Sequence, residues 1–158
     1  SLLDRSVVLE EQGIRIPTLC KEDFFLHLCA HLYKEATTLP WIEMHRDMTL
    51  YKYSDIYLLL SEMTDQDVAT LFARAKELDM EKIVAFALLQ TAGLFDISNA
   101  QILRKANNAL AQDPEFLLRV VSPKDKKNLI YGTADVAERF FMEDRIKDLE
   151  EVVNSGKA

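Results

Sequence analysis

Asp23, His27, His31 and Glu35 recur at steps of four within KEDFFLHLCAHLYKE, residues 21–35, so a helix there carries one polar ladder between apolar flanks. Titratable side chains on an otherwise apolar helix must meet water, a metal, a partner or a ligand, because burying them unpaired costs several kcal/mol. Two chemistries fit the spacing. A histidine pair at i and i+4 can share one ion, with a carboxylate one turn further to complete the set. Alternatively the four cover a polar helix face and orient one another by hydrogen bonds, and a ligand-facing wall without metal lies between these readings. A zinc protease would need Glu directly after the first histidine, where this chain has Leu28.

Asp55 stands among Tyr51, Tyr53 and Tyr57 with Lys52 three residues before it. It reads either as an acceptor for a tyrosine hydroxyl or a basic group on another helix, or as part of a sugar- or base-stacking pocket. Arg119, Lys124, Lys126 and Lys127, with Arg104 and Lys105 joining in space, fit a phosphate site or a solvated loop equally. Arg139 and Arg145 in ERFFMEDR read as ion-paired helix residues. Asp65 and Asp67 fall at a helix start, where acids favour the dipole and cap amides. The sequence contains no Gly-rich phosphate loop, no Gly-Ser pair followed by strand-borne carboxylates and no nucleophile elbow.

The elements that must position these groups are mainly helical. Val7–Leu9 and Ile14–Ile16, separated by a polar stretch ending in Gly13, predict a hairpin that is marginal unless it pairs or packs. Thr18 is placed to cap a helix from about Leu19 to Thr37, and Met48–Glu62 carries a second apolar stripe. Thr64 with Asp67 forms a capping box for a helix to Leu78; Asp79 caps the next, which ends at Gly93 as a left-handed stop and should be the most buried. Ser98 with Gln101 opens a helix to about Ala111, and Asp113-Pro114 opens a sixth. Residues 121–132, with Pro123, Gly132 and three lysines, read as loop; a last helix over Thr133–Val153 packs Val136, Phe140, Phe141 and Leu149 inward. The expectation is a mainly α protein, a bundle of about six to seven helices with a short N-terminal β-hairpin: hairpin over 1–19, helical domain over 20–153, frayed tail over 154–158.

Composition sets the class. With 158 residues, 49% hydrophobic and 28% charged, the chain supports one ordinary core and reads as soluble and globular. No window approaches a bilayer span and no leader pattern opens it, so the expected compartment is the cytoplasm and no membrane partner is expected. Nineteen basic against 26 acidic residues leave a formal charge of -7, which opposes binding to nucleic acid through its phosphate backbone. Cys20 and Cys29 have neither zinc nor disulfide spacing and read as reduced thiols. A start at Ser1 rather than Met leads us to expect processing or a piece of a longer polypeptide.

The ordered series EDFFLHLCAHLYKEA, YKYSDIYLLL and AKELDMEKIVAFALLQTAGLFD resembles the carboxyl-terminal half of a bacterial family of uncharacterised nucleotidyltransferase-like proteins, over roughly Arg5 to Asp96. In that family an amino-terminal mixed sheet carries the Gly-Ser motif and the acids that bind Mg2+, while a helical half closes one side of the cleft. The motif positions that match here are Glu22, Asp23, His27, His31, Lys34 and Asp55. The resemblance implies a helical domain that positions nucleotide or acceptor through Asp23, His27, His31, Lys34 and Asp55, with no catalytic residue and no metal of its own. It also implies that the sheet is missing except for the hairpin as its remnant, that Mg2+ comes only with that sheet, and that these residues alone are inactive. The alternatives are a non-enzymatic helical interaction or regulatory module, such as the helical partner of a toxin-antitoxin system, and a small metalloprotein centred on His27 and His31.

Overall fold

The computed structural model describes residues 3–152, leaving aside the side chain of Leu3. Strands β1 (Val7–Glu11) and β2 (Ile14–Thr18) lead into α1 (Lys21–Ala36), α2 (Leu39–Glu43), α3 (Leu50–Ser61), α4 (Asp65–Glu77), α5 (Glu81–Ala92) and α6 (Ala100–Leu110). Then come β3 (Arg119–Ser122), β4 (Lys127–Tyr131), α7 (Val136–Phe141) and β5 (Leu149–Glu151), with 3-10 turns at Leu3–Arg5, Pro114–Leu117 and Arg145–Asp148. The protein is mainly α, with seven α-helices among the described residues and the expected short amino-terminal hairpin. Val153 of the expected last helix and the tail 154–158 lie outside the described residues.

The apolar spacing of each helix selects the face it buries. Helix α5 buries Val84 through Leu88 without interruption and packs against α1, α3, α4 and α6, so it is the post around which the bundle forms. Phe25 and Leu32 of α1, Tyr53 and Ile56 of α3 and Leu71 of α4 close the core around it. Burying side chains of this size is worth ~1.5–3 kcal/mol each. The capping box at the head of α4 is present: Asp67 N–H donates to Thr64 Oγ1 at 3.2 Å and Thr64 N–H donates to Asp67 Oδ2 at 2.9 Å.

Several boundaries depart from the expectation. Helix α1 is preceded by Cys20 rather than capped by Thr18, and no side chain caps it. A short helix α2, with Pro40 in its first turn, fills what reads as a stop signal. Asp79 does not cap α5; Met80 occupies that position, and Asp79 takes a left-handed φ of 56°. Gly93 is right-handed, at φ -73°. Its smallness serves a close approach instead, since a Cβ there would run into Val136 Cγ1 of α7. Asn99, not Ser98, caps α6 through bonds from Gln101 and Ile102 N–H, and Asp113-Pro114 opens only a four-residue 3-10 turn.

The largest departures follow residue 118. The expected loop over 121–132 is a hairpin, β3 against β4, to which β5 adds as a third antiparallel strand. Lysines on its outer face and at its turn hide the alternation: Val120, Ser122 and Tyr131 are buried, while Lys126 turns the chain at φ 53°. Val120 and Tyr131 meet Ile42 of α2 in a second small core. The expected long last helix survives only as α7, and Phe141 does not pack inward, being 82% exposed. Two tertiary anchors hold the stretch after it out of helix: Arg145 is drawn onto buried Asp47, and Asp148 accepts from Gly132 and Thr133 N–H at 3.1 and 3.3 Å. Packing of this kind overrides local propensity.

The amino-terminal hairpin stands almost alone. Its register sets Val7, Leu9, Ile14 and Ile16 on one face and Val8, Glu10, Arg15 and Pro17 on the other. All four apolar side chains of the first face are 45–63% exposed.

Candidate functional site

Helix α1 presents two faces with different chemistry. Toward α5 it buries Phe25, Leu32 and Cys29, and burial alone pushes the Cys29 thiol pKa far up, leaving it an inert core residue. On the exposed side His27 and His31 stand one turn apart, ring centroids 4.7 Å apart and planes tilted by 59°. His31 Nδ1 lies 3.8 Å from Glu35 Oε1. Glu35 in turn forms an ion pair with Lys52, which α3 brings across the helix interface. Burial lowers the Lys52 pKa from its ordinary value; Lys52 Nζ also donates to Arg46 C=O at 3.4 Å.

These groups wall a cavity of about 310 Å³ lined by His27, Leu28, His31, Glu35, Tyr51, Lys52 and Asp55. Its size is at the lower end of ligand sites. Asp55 is exposed at its edge and makes no hydrogen bond or ion pair among the described residues. None of its three tyrosine neighbours donates to it: Tyr51 is exposed, Tyr53 is sealed in the core and Tyr57 stacks on Phe95, centroids 5.1 Å apart. Lys34 is exposed on the same helix, and its carbonyl accepts from Thr38 Oγ1.

Asp23 begins the same ladder but is engaged elsewhere. Its side chain is wholly buried, with Oδ2 accepting from Arg5 Nε at 3.1 Å and Oδ1 accepting from Arg74 Nε of α4 at 3.4 Å. Arg5 also approaches Glu22 Oε2 at 3.7 Å and donates to Cys20 Sγ at 3.5 Å. Because Arg5 lies two residues before β1, Asp23 ties the base of the hairpin to the bundle. Asp23 and His27 also border a smaller apolar depression of about 190 Å³ with Leu19, Leu26, Leu78 and Met80.

The sequence alone hides both inter-helix ion pairs. The one signal, for the Asp23 pair, is negative: Asp23 has no Lys or Arg three or four residues away, so a buried, charged Asp23 calls for a cation from a distant element.

Several of the other basic residues are paired. Asp113 accepts from Arg119 at 3.0 and 2.6 Å and from Lys82 at 2.7 Å, and Lys127 donates to Glu151 at 2.8 Å. Lys105 lies over the Phe72 ring at 5.5 Å, and Lys124 and Lys126 are exposed. Arg139 is buried, stacked on Tyr131 at 4.6 Å and donating to Gln90 at 2.9 Å. Burial pushes the Tyr131 hydroxyl up to about 12, against the opposing pull of Arg139 and Arg145.

The family resemblance brings Mg2+ with it, and the donors here do not fit that ion. Among the described residues no three His, Cys, Asp or Glu side chains converge to hold a metal. No helix among them is long and apolar enough to cross a membrane.

A mainly helical bundle with an imidazole-lined groove and a projecting hairpin defines the class of protein. The chain belongs to the uncharacterised nucleotidyltransferase family, whose model matches residues 1–96. No curated protein and no solved structure matches it.

Proposed function

We propose that this chain is the substrate-facing helical domain of a nucleotidyltransferase, its α1–α3 groove positioning nucleotide or acceptor against a catalytic sheet that completes the hairpin. The observation that carries the reading is the His27–His31 pair, two exposed imidazoles 4.7 Å apart on the wall of a ligand-sized cavity. Each ring offers one donor and one acceptor when neutral and two donors when protonated, enough to fix a phosphate oxygen or a hydroxyl. Lys34 adds an exposed cation on the same helix and Asp55 an open acceptor, while Glu35 holds Lys52 in place. Asp23 serves the same task from behind, by holding Arg5 and with it the hairpin.

The hairpin supports the second half of the reading. A two-stranded ribbon is marginal by itself, and this one leaves Val7, Leu9, Ile14 and Ile16 uncovered. Further strands along its free edges, with a layer on its apolar face, would give it a stable setting. In nucleotidyl transfer an acceptor hydroxyl or amine attacks the α-phosphorus of a nucleoside triphosphate, a new bond to phosphorus forms, pyrophosphate leaves with the electron pair of the broken anhydride, and the acceptor proton is released. The groups named here bind and orient, and none of them forms or breaks a bond in that step.

The test is an NMR titration of the chain with ATP and with simple alcohols and amines. The ring-proton signals of His27 and His31 should shift while exposed His45, the third histidine, stays still. If none of these compounds moves His27 or His31, the groove is not a substrate wall and the interaction-module reading takes its place.

A further inference from the structure

The cavity beside the histidines does not end at Asp55. A second depression of about 340 Å³, lined by Phe24, Leu28, Asp55, Leu58, Leu59 and Glu62, shares Leu28 and Asp55 with the first. The two form one groove between α1 and α3, polar at the histidine end and apolar at the other. Phe24 and Leu58 are 44% and 59% exposed there. Asp55, the acceptor without a partner among the described residues, stands where the halves meet.

The geometry points to an acceptor substrate of defined class: a hydroxyl borne on an apolar body, aliphatic or aromatic. This inference rests on the substrate-wall reading above and adds to it which substrate occupies the groove. Three features select this occupant. The carboxylate of Asp55 accepts a hydrogen bond from a hydroxyl but repels a phosphate, which argues against a triphosphate at the junction. Lys52, the one cation in the lining of the polar half, is already paired with Glu35. The other half, lined by Phe24, Leu28, Leu58 and Leu59 with Asp55 and Glu62 as its two carboxylates, holds hydrocarbon next to Asp55 and repels a free phosphate. A sheet is not the occupant this groove fits, because the free strand edges that a sheet extends belong to the hairpin.

The experiment titrates the chain with glycerol, 1,2-hexanediol and 3-phenyl-1,2-propanediol, following the His27 and His31 ring protons together with the Leu58 and Leu59 methyls. Both sets should report one common Kd for each apolar diol. Each added methylene that enters the apolar half should tighten binding about fourfold, so both diols bind at least tenfold tighter than glycerol. Leu58→Gln, a change at an exposed helix position, should weaken the apolar diols about tenfold and leave glycerol unchanged. Asp55→Asn should weaken all three.

The inference is overturned if glycerol binds as well as the apolar diols. It is equally overturned if the methyls shift without the histidine signals. Histidine shifts with ATP and none with any diol would retain the substrate wall and remove this acceptor; no shift with either would remove both.

Discussion

Arg145 reaches across 98 residues of sequence to close a two-pronged ion pair on Asp47, Nε to Oδ2 at 2.8 Å and Nη2 to Oδ1 at 2.7 Å. Asp47 precedes α3, whose side chains line the groove, and Arg145 lies in the turn before β5. The pair therefore fastens the carboxyl-terminal sheet to the helix that carries Lys52 and Asp55. Removing one partner leaves the other charge buried, so Asp47→Ala or Arg145→Met should each cost about 3–5 kcal/mol. A double change to apolar residues should cost clearly less than the two singles together. Urea unfolding followed by the fluorescence of Trp41 measures this; additive losses would mean that the two residues act independently.

Asp23→Asn should cost on the order of 1–3 kcal/mol, held to the lower part of that range by the 37% exposure of the Arg5 side chain. Its signature is local. Amide exchange should accelerate throughout Val7–Thr18 and in the first turn of α1 before it does in α5. Uniform acceleration across the bundle would show that Asp23 serves general stability and does not tether the hairpin.

Gly93→Ala places a methyl against Val136 Cγ1. Since Gly93 directly follows α5 and Val136 is buried on α7, the overpacking should cost about 1–3 kcal/mol. Val136→Ala in the same chain should recover part of the loss, and the shift in thermal midpoint reads it. A Gly93→Ala protein as stable as the parent would show that α7 moves away without cost.

Acid should loosen the junction around Asp113. The hydrogen bond from Lys82, foremost, and that from Arg119 hold its carboxyl pKa below the ordinary 3.8. A folded pKa below the unfolded one gives stability that is complete above the unfolded value and is lost as pH falls through the folded value. The contribution should therefore be constant through neutrality and fade below about pH 4. Unfolding midpoints across that range, compared with those of Asp113→Asn, should converge at low pH; curves that stay parallel would contradict the linkage.

The helices were legible from their apolar period, as in the continuous run of α5, and most sharply where a cap coincided with it, as in Thr64 with Asp67. The ladder of α1 was equally legible, because a step of four fixes which side chains share a face. The strands after residue 118 were not. Their short alternation competes with lysines that look like loop, and only contact with Ile42 shows which side of Val120 and Tyr131 is inner. Phe141 reads as core by type and is exposed because the chain leaves helix directly after it.

By itself the sequence determined the mainly helical class, the hairpin at its start and the alignment of His27, His31 and Glu35, since these follow from local period and turn chemistry. Only the tertiary structure decided that Asp23 faces Arg5 and Arg74, that Lys52 meets Glu35, and that Asp55 is left open at the meeting of two depressions. Those outcomes depend on which helices become neighbours. A charge pair between distant segments leaves no mark on the local spacing of either one.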